Sequence, residues 1–315
     1  MKILVADEIA EKAIEKLKEE FEVIYSELSY EALLEEIVSY DALIVRSRTR
    51  VTKEVIQAGE NLKVIGRAGV GVDNIDVREA SERKIIVVNA PISSTISVAE
   101  LTFAHMLALA RNLTKADKTT KEGKWEKKSL MGIELNEKTL GLIGLGRIGS
   151  EVAKRARAFG MKCIAYDPYL TKEKVREMGV EPVTLNTLLR DSDFITIHAT
   201  LTKETKYLIG AKELAKMKSS AFLINCARGS IVDEKALYKV LRDKKIAGCA
   251  LDVFEVEPPK DSPLLKLDNV IFTPHLGAST KEAQEKAGTI VAEQVLKVLK
   301  REKPDFCVNP EVLNN

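Results

Sequence analysis

The chain has 315 residues, which is long for a single hydrophobic core and predicts two domains. Its 49 Lys and Arg residues against 47 Asp and Glu residues leave a net charge of +2, so no overall field would recruit nucleic acid or an anionic membrane. The cysteines are too widely spaced for a disulfide framework or a zinc site: Cys163, Cys226, Cys249 and Cys307. An N-terminal strand replaces a signal peptide, and no apolar run reaches the length of a bilayer. We therefore expect a cytoplasmic protein without a metal, a nucleic-acid partner or a membrane partner.

Short β-branched runs alternate with helical stretches along the chain, which is the pattern of parallel βαβ units. Before the middle of the chain, the predicted strands are 3–6, 23–26, 42–46, 64–67 and 85–89. A helix predicted over 98–116 is apolar nearly all round in its first half, so it has to be buried. About six further parallel strands follow, as expected of a dinucleotide-binding domain: 139–143, 162–166, 194–198, 222–225, 247–251 and 270–273. A last helix is predicted over 279–299, and we expect it to cover the first sheet.

A glycine-rich run lies between strand 139–143 and a helix predicted over 150–159: Gly144-Leu145-Gly146-Arg147-Ile148-Gly149. In such a turn the glycines permit a tight bend, a close approach of the backbone to a pyrophosphate and close packing of the helix. Asp167 ends the next strand about 20 residues on, where its carboxylate can accept both ribose hydroxyls and repel the extra phosphate of NADP. The pattern predicts an NAD-binding Rossmann domain. The alternative is an ordinary glycine-rich turn in an α/β domain.

Three polar side chains follow strands of the second series, at the edge where open α/β sheets bind ligands. Arg228 could hold a carboxylate bidentately, Glu257 lies in a proline-stiffened loop, and His275 stands between a proline and a glycine. Each alone is as easily a surface or structural residue. Together they supply a cation, a carboxylate and a base, which are the groups that hydride transfer from a secondary alcohol requires.

Four motifs in order span most of the chain: Leu142-Ile143-Gly144-Leu145-Gly146-Arg147-Ile148-Gly149, Asn225-Cys226-Ala227-Arg228-Gly229, Leu251-Asp252-Val253-Phe254 followed by Glu257-Pro258, and Pro274-His275-Leu276-Gly277. Together they resemble the motifs of the D-2-hydroxyacid dehydrogenases. The resemblance implies an α/β fold of two doubly wound parallel-sheet domains, with the Rossmann NAD domain inserted into a flavodoxin-like substrate domain, and it implies a homodimer. On this basis 1–97 begins the substrate domain, 98–284 forms the NAD domain, and 285–315 returns to the substrate domain.

The resemblance also implies roles for individual residues. His275 would accept the hydroxyl proton, Glu257 would orient His275, and Arg228 would bind the substrate carboxylate or carbonyl. The implied cofactor contacts are Gly144, Gly146, Arg147, Ile148, Gly149, Asp167, His198, Ala199, Cys226, Ala227, Arg228, Asp252, His275, Gly277 and Ala278.

The first third of the chain is similar to the branch of this family that oxidises D-3-phosphoglycerate with NAD. The similarity lies in the runs Ile44-Val45-Arg46-Ser47-Arg48-Thr49 and Ile65-Gly66-Arg67-Ala68-Gly69-Val70-Gly71. It implies a substrate site made by Arg46, Ser47, Arg67, Gly69 and Val70 with Arg228 and His275, since a substrate with a carboxylate and a phosphate needs more than one cation. The alternative is that Arg46, Arg48 and Arg50 form only a basic rim.

The sequence is also compatible with other activities of the same fold. A glyoxylate or hydroxypyruvate reductase would have a smaller substrate and less use for Arg46 and Arg67. A non-catalytic NAD-sensing protein could retain Arg228, Glu257 and His275. Longer members of the phosphoglycerate branch carry a regulatory C-terminal domain that binds serine. Since the chain ends at Asn315, we expect a short form without that domain and without serine feedback through it.

Overall fold

The computed structural model describes residues 1–314. The strands within them are β1 (Lys2–Val5), β2 (Glu22–Tyr25), β3 (Ala42–Val45), β4 (Val64–Arg67), β5 (Ile86–Asn89), β6 (Thr139–Ile143), β7 (Lys162–Tyr166), β8 (Glu181–Pro182), β9 (Phe194–Ile197), β10 (Phe222–Asn225), β11 (Gly248–Leu251) and β12 (Val270–Phe272). The α-helices within them are α1 (Glu11–Lys18), α2 (Tyr30–Glu36), α3 (Lys53–Ala58), α4 (Val77–Glu82), α5 (Thr95–Ala110), α6 (Leu113–Lys121), α7 (Arg147–Ala158), α8 (Lys172–Glu177), α9 (Leu185–Asp191), α10 (Ala211–Leu214), α11 (Glu234–Arg242) and α12 (Lys281–Leu299).

The chain divides into two compact units, and the second is inserted into the sequence of the first. The first unit comprises Met1–Ser94 and the segment from Ala278 onward, and the second unit comprises Thr95–Gly277. The sequence predicts the two breaks a few residues later, after 97 and after 284. The predicted fold class, two α/β domains with parallel sheets, is confirmed.

The first unit is built on a parallel sheet whose strand order, over the described residues, is β2-β1-β3-β4-β5. This order is that of a flavodoxin-like, doubly wound sheet. Helix α12 packs on it so closely that a Cβ added to Gly66 of β4 would lie 2.8 Å from Val291 and from Val295. The last described helix therefore contributes to a core formed with residues from the start of the chain.

The second unit is built on a parallel sheet whose order, in the described part of the chain, is β12-β11-β10-β9-β6-β7-β8. Within this unit the chain enters the sheet at the interior strand β6. It then adds β7 and β8 on one side of β6 and β9 to β12 on the other side. The switch point between β6 and β9 is where open α/β sheets bind their ligands. The short edge strand β8 was not predicted, because Pro182 and only two paired residues leave no strand pattern to detect.

The single helix predicted over 98–116 is wrong. The structure has α5 and α6 instead, separated by Asn112, whose φ is 51° and lies in the left-handed region. Asparagine tolerates that conformation, and its side-chain amide lies 3.3 Å from the carbonyl oxygen of Met131. Apolar periodicity runs unchanged through one such residue, so the break was invisible in the pattern. None of the helices within residues 1–314 is both long and apolar enough to cross a membrane.

Candidate active site

The glycine-rich turn joins β6 to α7 and leaves the N-terminus of the helix accessible. Gly144 has a φ of 90°, and an added Cβ would lie 2.8 Å from the backbone nitrogen of Ala199. At Gly149 a Cβ would lie 2.3 Å from the carbonyl oxygen of Gly144, whereas at Gly146 it would meet no described atom within 4 Å. Helix α7 begins at the exposed Arg147, earlier than the predicted residue 150, so its unpaired N–H groups lie within the glycine run.

Asp167 follows β7 and is hydrogen-bonded to the glycine turn. One carboxylate oxygen accepts the N–H of Leu145 at 2.8 Å, and the other accepts the N–H of Tyr169 at 2.9 Å. The side chain is half-buried, and each carboxylate oxygen has a second lone pair. Asp167 can therefore fix the turn and still accept hydroxyl groups of a ligand.

His198 and Ala199 follow β9, and their backbone contacts the glycine-rich turn at Gly144. The His198 backbone continues the sheet by donating to the carbonyl of Ile143 at 2.8 Å, and its Nε2 lies 3.0 Å from the hydroxyl of Thr196. Its Nδ1 is buried and has no hydrogen-bond partner among the described residues. Burial lowers the pKa of His198 to about 3, so the imidazole is neutral at physiological pH.

His275 and Glu257 form a hydrogen-bonded pair at the carboxyl ends of β12 and β11. His275 Nδ1 lies 2.9 Å from Glu257 Oε2, and both side chains are partly exposed. Because a carboxylate only accepts, Nδ1 carries the proton and Nε2 is left as the acceptor. Burial tends to raise the pKa of Glu257, but the hydrogen bond and charge of His275, the N–H of Phe254 and the charge of Arg228 together hold it below its ordinary value.

Arg228 lies beyond β10, which is the neighbour of β11 in the sheet. The Asn225 side chain holds the turn that carries Arg228. Its amide oxygen accepts the N–H of Ala227 at 3.0 Å, and its amide nitrogen donates to the carbonyl of Arg228 at 3.0 Å. Arg228 Nη1 donates to the carbonyl of Ala227 at 2.7 Å. The structure therefore brings the predicted cation, carboxylate and base to adjacent strand ends of one unit.

Asp252 holds the turn that carries His275. It is fully buried, and its carboxylate accepts the hydroxyl of Thr273 at 2.6 Å and the N–H groups of Leu276 at 2.7 Å and Gly277 at 2.8 Å. Its carbonyl accepts the N–H of His275 at 2.8 Å. The sequence indicated Asp252 only as a cofactor contact. Its position directly after the buried strand β11 was the signal that it could serve as an internal acceptor.

The remaining predicted cofactor contacts lie in varied surroundings. Ile148 packs against the core of the second unit, and Cys226 is buried with its Sγ 3.5 Å from Nδ1 of His105. The Gly277 carbonyl accepts the hydroxyl of Ser97 at 2.7 Å. Ala278 belongs to the first unit, where its carbonyl accepts the Gln284 amide at 2.6 Å. A contact of Cys226 with a ligand would therefore have to come from its backbone.

The predicted substrate arginines lie at the carboxyl edge of the first sheet. Arg46 follows β3, and its Nη1 donates to the carbonyl of Glu8 at 3.1 Å. Arg67 ends β4, and a Cβ on Gly69 would lie 1.5 Å from its Nη1, so a side chain at position 69 would displace the guanidinium. Ser47 is exposed, and the Val70 carbonyl accepts the Asn89 amide at 2.6 Å.

Arg48 differs from Arg46 in its contacts. Its Nε donates to Oδ1 of the buried Asp7 at 2.9 Å, and its Nη2 donates to the carbonyl of Ala6 at 2.5 Å. The charge of Arg48 is therefore compensated inside the first unit, and the three arginines 46, 48 and 50 are not equivalent members of a basic rim.

Comparisons with known proteins place this geometry in a family. The profile described as D-isomer specific 2-hydroxyacid dehydrogenase, NAD binding domain, matches residues 103–277. The chain is 52% identical to a hydroxypyruvate reductase of Thermotoga maritima, over 90% of this chain and 92% of that protein. The chain belongs to the D-isomer specific 2-hydroxyacid dehydrogenases. The resemblance noted in the sequence is thereby confirmed.

Other members of the family differ from this chain in length or in identity. The chain is 58% identical to the D-3-phosphoglycerate dehydrogenase of Methanocaldococcus jannaschii over 98% of its own residues, but it spans only 59% of that protein. The NAD-complexed D-isomer specific 2-hydroxyacid dehydrogenase of Lactobacillus delbrueckii is 29% identical, with a TM-score of 0.82 over 98% of this chain and all of that one.

NAD is the cofactor of this dehydrogenase family member, and the second unit fits it. The open space at Gly146 and the free N–H groups of α7 suit a pyrophosphate, and Asp167 lies beside the turn to accept ribose hydroxyls. Within the described residues, no group of three or more His, Cys, Asp and Glu side chains is placed to hold a metal ion.

Proposed function

We propose that the chain oxidises D-3-phosphoglycerate to 3-phosphohydroxypyruvate with NAD, which is the first step of serine biosynthesis. The observation that carries the proposal is the 2.9 Å pair of His275 and Glu257, with Arg228 at the next strand end. The names of relatives that are 46–58% identical over more than 90% of this chain supply the substrate.

The residues divide the chemistry among them. His275 Nε2 accepts the proton of the C2 hydroxyl, while the carboxylate of Glu257 keeps Nδ1 protonated and stabilises the imidazolium that forms. Arg228 binds the carboxylate or the carbonyl oxygen that develops at C2. Bound NAD supplies the acceptor for the hydride that leaves C2. The products are the 2-keto acid, NADH and the proton held by His275.

Arg46 and Arg67 are proposed to bind an anionic group of the substrate, with Ser47 and the backbone of Gly69 and Val70 as further contacts. In support, Arg46 follows β3 and Arg67 ends β4, and these two strands are adjacent in the first sheet. An Arg46→Gln variant is expected to lose about 10- to 100-fold in kcat/KM for the phosphorylated acid, the value of a charged hydrogen bond. The exposed Arg50→Gln serves as the matched control and is expected to behave as the wild type.

The direct test follows NADH absorbance with purified protein. D-3-phosphoglycerate, glycerate and lactate are offered with NAD, and hydroxypyruvate is offered with NADH. We expect the highest kcat/KM with D-3-phosphoglycerate. Activity with none of the four would contradict the proposal and favour an NAD-sensing protein without catalysis.

A second candidate is a hydroxypyruvate reductase. It is favoured by the relative from Thermotoga maritima, which bears that name and is matched over 92% of its length. The two candidates differ in the use of a phosphate-binding arginine. A higher kcat/KM with hydroxypyruvate, and equal values for wild type and Arg46→Gln, would assign the chain to the reductases.

We also propose that the chain is a cytoplasmic homodimer. Several large apolar side chains of α6 and the segment after it are exposed, with exposed fractions of 59% at Leu113, 79% at Trp125 and 81% at Met131. Large apolar side chains with this exposure are typical of subunit interfaces. Light scattering is expected to give twice the chain mass of 34.9 kDa. The double variant Trp125→Ser with Met131→Ser is expected to shift the measured mass toward that of one chain.

The free thiols of the four cysteines suit a reducing compartment, which supports the proposed cytoplasmic location.

A further inference from the structure

His105 is a buried titratable residue on a helix whose other buried polar side chains, Ser97 and Thr102, donate to backbone carbonyls. It lies on α5, is 3% exposed, and has Met106 as a fully buried neighbour. Its two ring nitrogens each face one polar side chain: Nδ1 lies 3.5 Å from Cys226 Sγ, and Nε2 lies 3.2 Å from Thr273 Oγ1. A buried imidazole is costly to desolvate unless both nitrogens are satisfied, and here both are.

The directions of these hydrogen bonds follow from the acceptor at the end of the chain. The Asp252 carboxylate only accepts, so the hydroxyl proton of Thr273 points to Asp252 at 2.6 Å. That hydroxyl has no second proton, and therefore His105 Nε2 has to donate to it. His105 Nδ1 is then an acceptor, and it receives the thiol proton of Cys226.

The protonation states agree with this order. Burial, with the nearby charge of Asp252, raises the pKa of the Cys226 thiol to about 12, so the thiol keeps its proton. Burial lowers the pKa of His105 and outweighs the opposing effect of Asp252, the charged group that acts on it. His105 is therefore a neutral imidazole with its proton on Nε2.

We propose that His105 is a positioning residue for His275. By donating to Thr273, it keeps the Thr273 hydroxyl directed at the carboxylate of Asp252. That carboxylate binds the N–H groups of Leu276 and Gly277, and the Asp252 carbonyl binds the N–H of His275 itself. The hydrogen-bonded series from α5 thus ends at the turn that carries the proposed base. The kinetic part of this inference rests on the proposed dehydrogenation.

The first experiment needs no catalysis. The chain contains three histidines, so histidine labelled with ¹⁵N gives few ring signals, and the His105→Gln variant assigns those of residue 105. We expect His105 to be neutral with the proton on Nε2 at pH 6.5, where an ordinary histidine is half protonated. A proton on Nδ1, or a charged ring, would overturn the assignment.

The second experiment separates positioning from packing with a double-mutant cycle. His105→Leu is expected to lower kcat roughly three- to ten-fold with an unchanged dissociation constant for NADH, and His105→Gln, whose amide can donate to Thr273, is expected to restore most of it. In a Thr273→Val background, His105→Leu should have no further effect on kcat. Met106→Ala, a buried neighbour without a polar contact, controls for lost packing and should lower the melting temperature without lowering kcat.

Equal loss of kcat by His105→Leu in the wild-type and Thr273→Val backgrounds would contradict the inference, as would an unchanged kcat. If His105→Leu does not fold, the comparison of His105→Gln with the wild type and the ring signals still decide it. A wild-type protein that oxidises none of the acids would contradict the proposed function alone, because the protonation state of His105 would still test the hydrogen-bonded series.

Discussion

His275 has a φ of 54°, in the left-handed region where a residue with a side chain is strained. The strain is offset by hydrogen bonds that the buried Asp252 carboxylate accepts from Thr273 before His275 and from Leu276 and Gly277 after it. The imidazole is therefore held by its backbone as well as by Glu257. A fixed imidazole suits the proposed removal of the proton from the C2 hydroxyl.

Replacement of His275 tests its proposed role as the base. His275→Gln should lower kcat by about 10²–10⁴, the usual contribution of a positioned base, and leave NADH binding nearly unchanged. Leu276→Ala, on the same turn and 40% exposed, is the matched control and should retain kcat. Near-normal turnover of His275→Gln would show that another group accepts the proton.

Glu257 gives a prediction for stability against pH. Because the folded pKa of Glu257 lies below its ordinary value of 4.5, its carboxylate stabilises the native state above pH 4.5, and this contribution is lost as the pH falls through the folded pKa. The melting temperature of the wild type should therefore gain on that of Glu257→Gln as the pH rises from 3 to 6. A constant difference over that range would contradict the lowered pKa.

His198 gives a pH dependence of the same sign, in a higher pH range. Its folded pKa of about 3 lies below the ordinary 6.5, so the unfolded chain takes up a proton that the native state does not. Native stability should fall as the pH drops from 6.5 toward 3, by about 2 kcal/mol at pH 5. His198→Asn removes this titration, and urea unfolding at pH 7.5, 6 and 5 should show the wild type losing stability relative to the variant. Parallel curves would exclude the effect.

The placement of Arg228, Glu257 and His275 at one edge of the second sheet was predictable, because each follows a strand and the carboxyl ends of parallel strands share one edge. The residues that hold these three in place were not predictable. Asp252, Thr273 and His105 are far apart in sequence, and their contacts depend on how α5 packs against the ends of β11 and β12. A lone histidine in an apolar helix carries no sign of its partners.

At the scale of elements, the short 3₁₀ segment Gly229–Ile231 supports the loop that carries Glu257. A Cβ on Gly229 would lie 1.9 Å from the backbone carbon of Phe254, so the two segments touch through the backbone. The neighbouring carboxylates bind the same loop, since Glu234 Oε1 accepts the N–H of Glu255 at 2.6 Å and Glu255 Oε1 accepts the N–H of Glu234 at 2.8 Å.

Gly229→Ala should therefore displace the loop. We expect a loss of about 1–3 kcal/mol in the free energy of unfolding, as for other overpacked sites, together with a lower kcat because Glu257 moves with the loop. Gly210→Ala is the matched control, because its Cβ would come no closer than 3.5 Å to its neighbours. Unchanged kcat in Gly229→Ala would separate this contact from the site.

The strands of both sheets were largely predictable, because a strand buried on both faces appears as a β-branched run with helical patterns between. What escaped prediction were features set by one or two residues. The left-handed Asn112 divides a predicted helix, and the edge strand β8 is too short to show alternation. Local backbone choices of this kind leave hydrophobic periodicity unaltered.

At the scale of the whole molecule, the two units differ in whether a continuous segment of the chain can form their core. The second unit is continuous in sequence and has its own cores, whereas the first sheet packs against residues of α12. A fragment of residues 95–277 should fold and quench or shift NADH fluorescence on binding. Residues 1–94 alone should lack cooperative unfolding, because Ile3, Val5 and Ile44 would lose their cover. A cooperatively folded 1–94 fragment would contradict this account.

The insertion also sets an order of events on the ribosome. The strands β1 to β5 are made first, but the segment that completes their core, from Ala278 onward, is made after the whole of the second unit. At about 5–20 residues per second, that delay is roughly ten to forty seconds. During it the second unit can already fold, while the first sheet remains an incomplete, apolar surface. The nascent chain is therefore at its most aggregation-prone before α12 emerges, and a chaperone that shields the first 94 residues would be needed most in that interval.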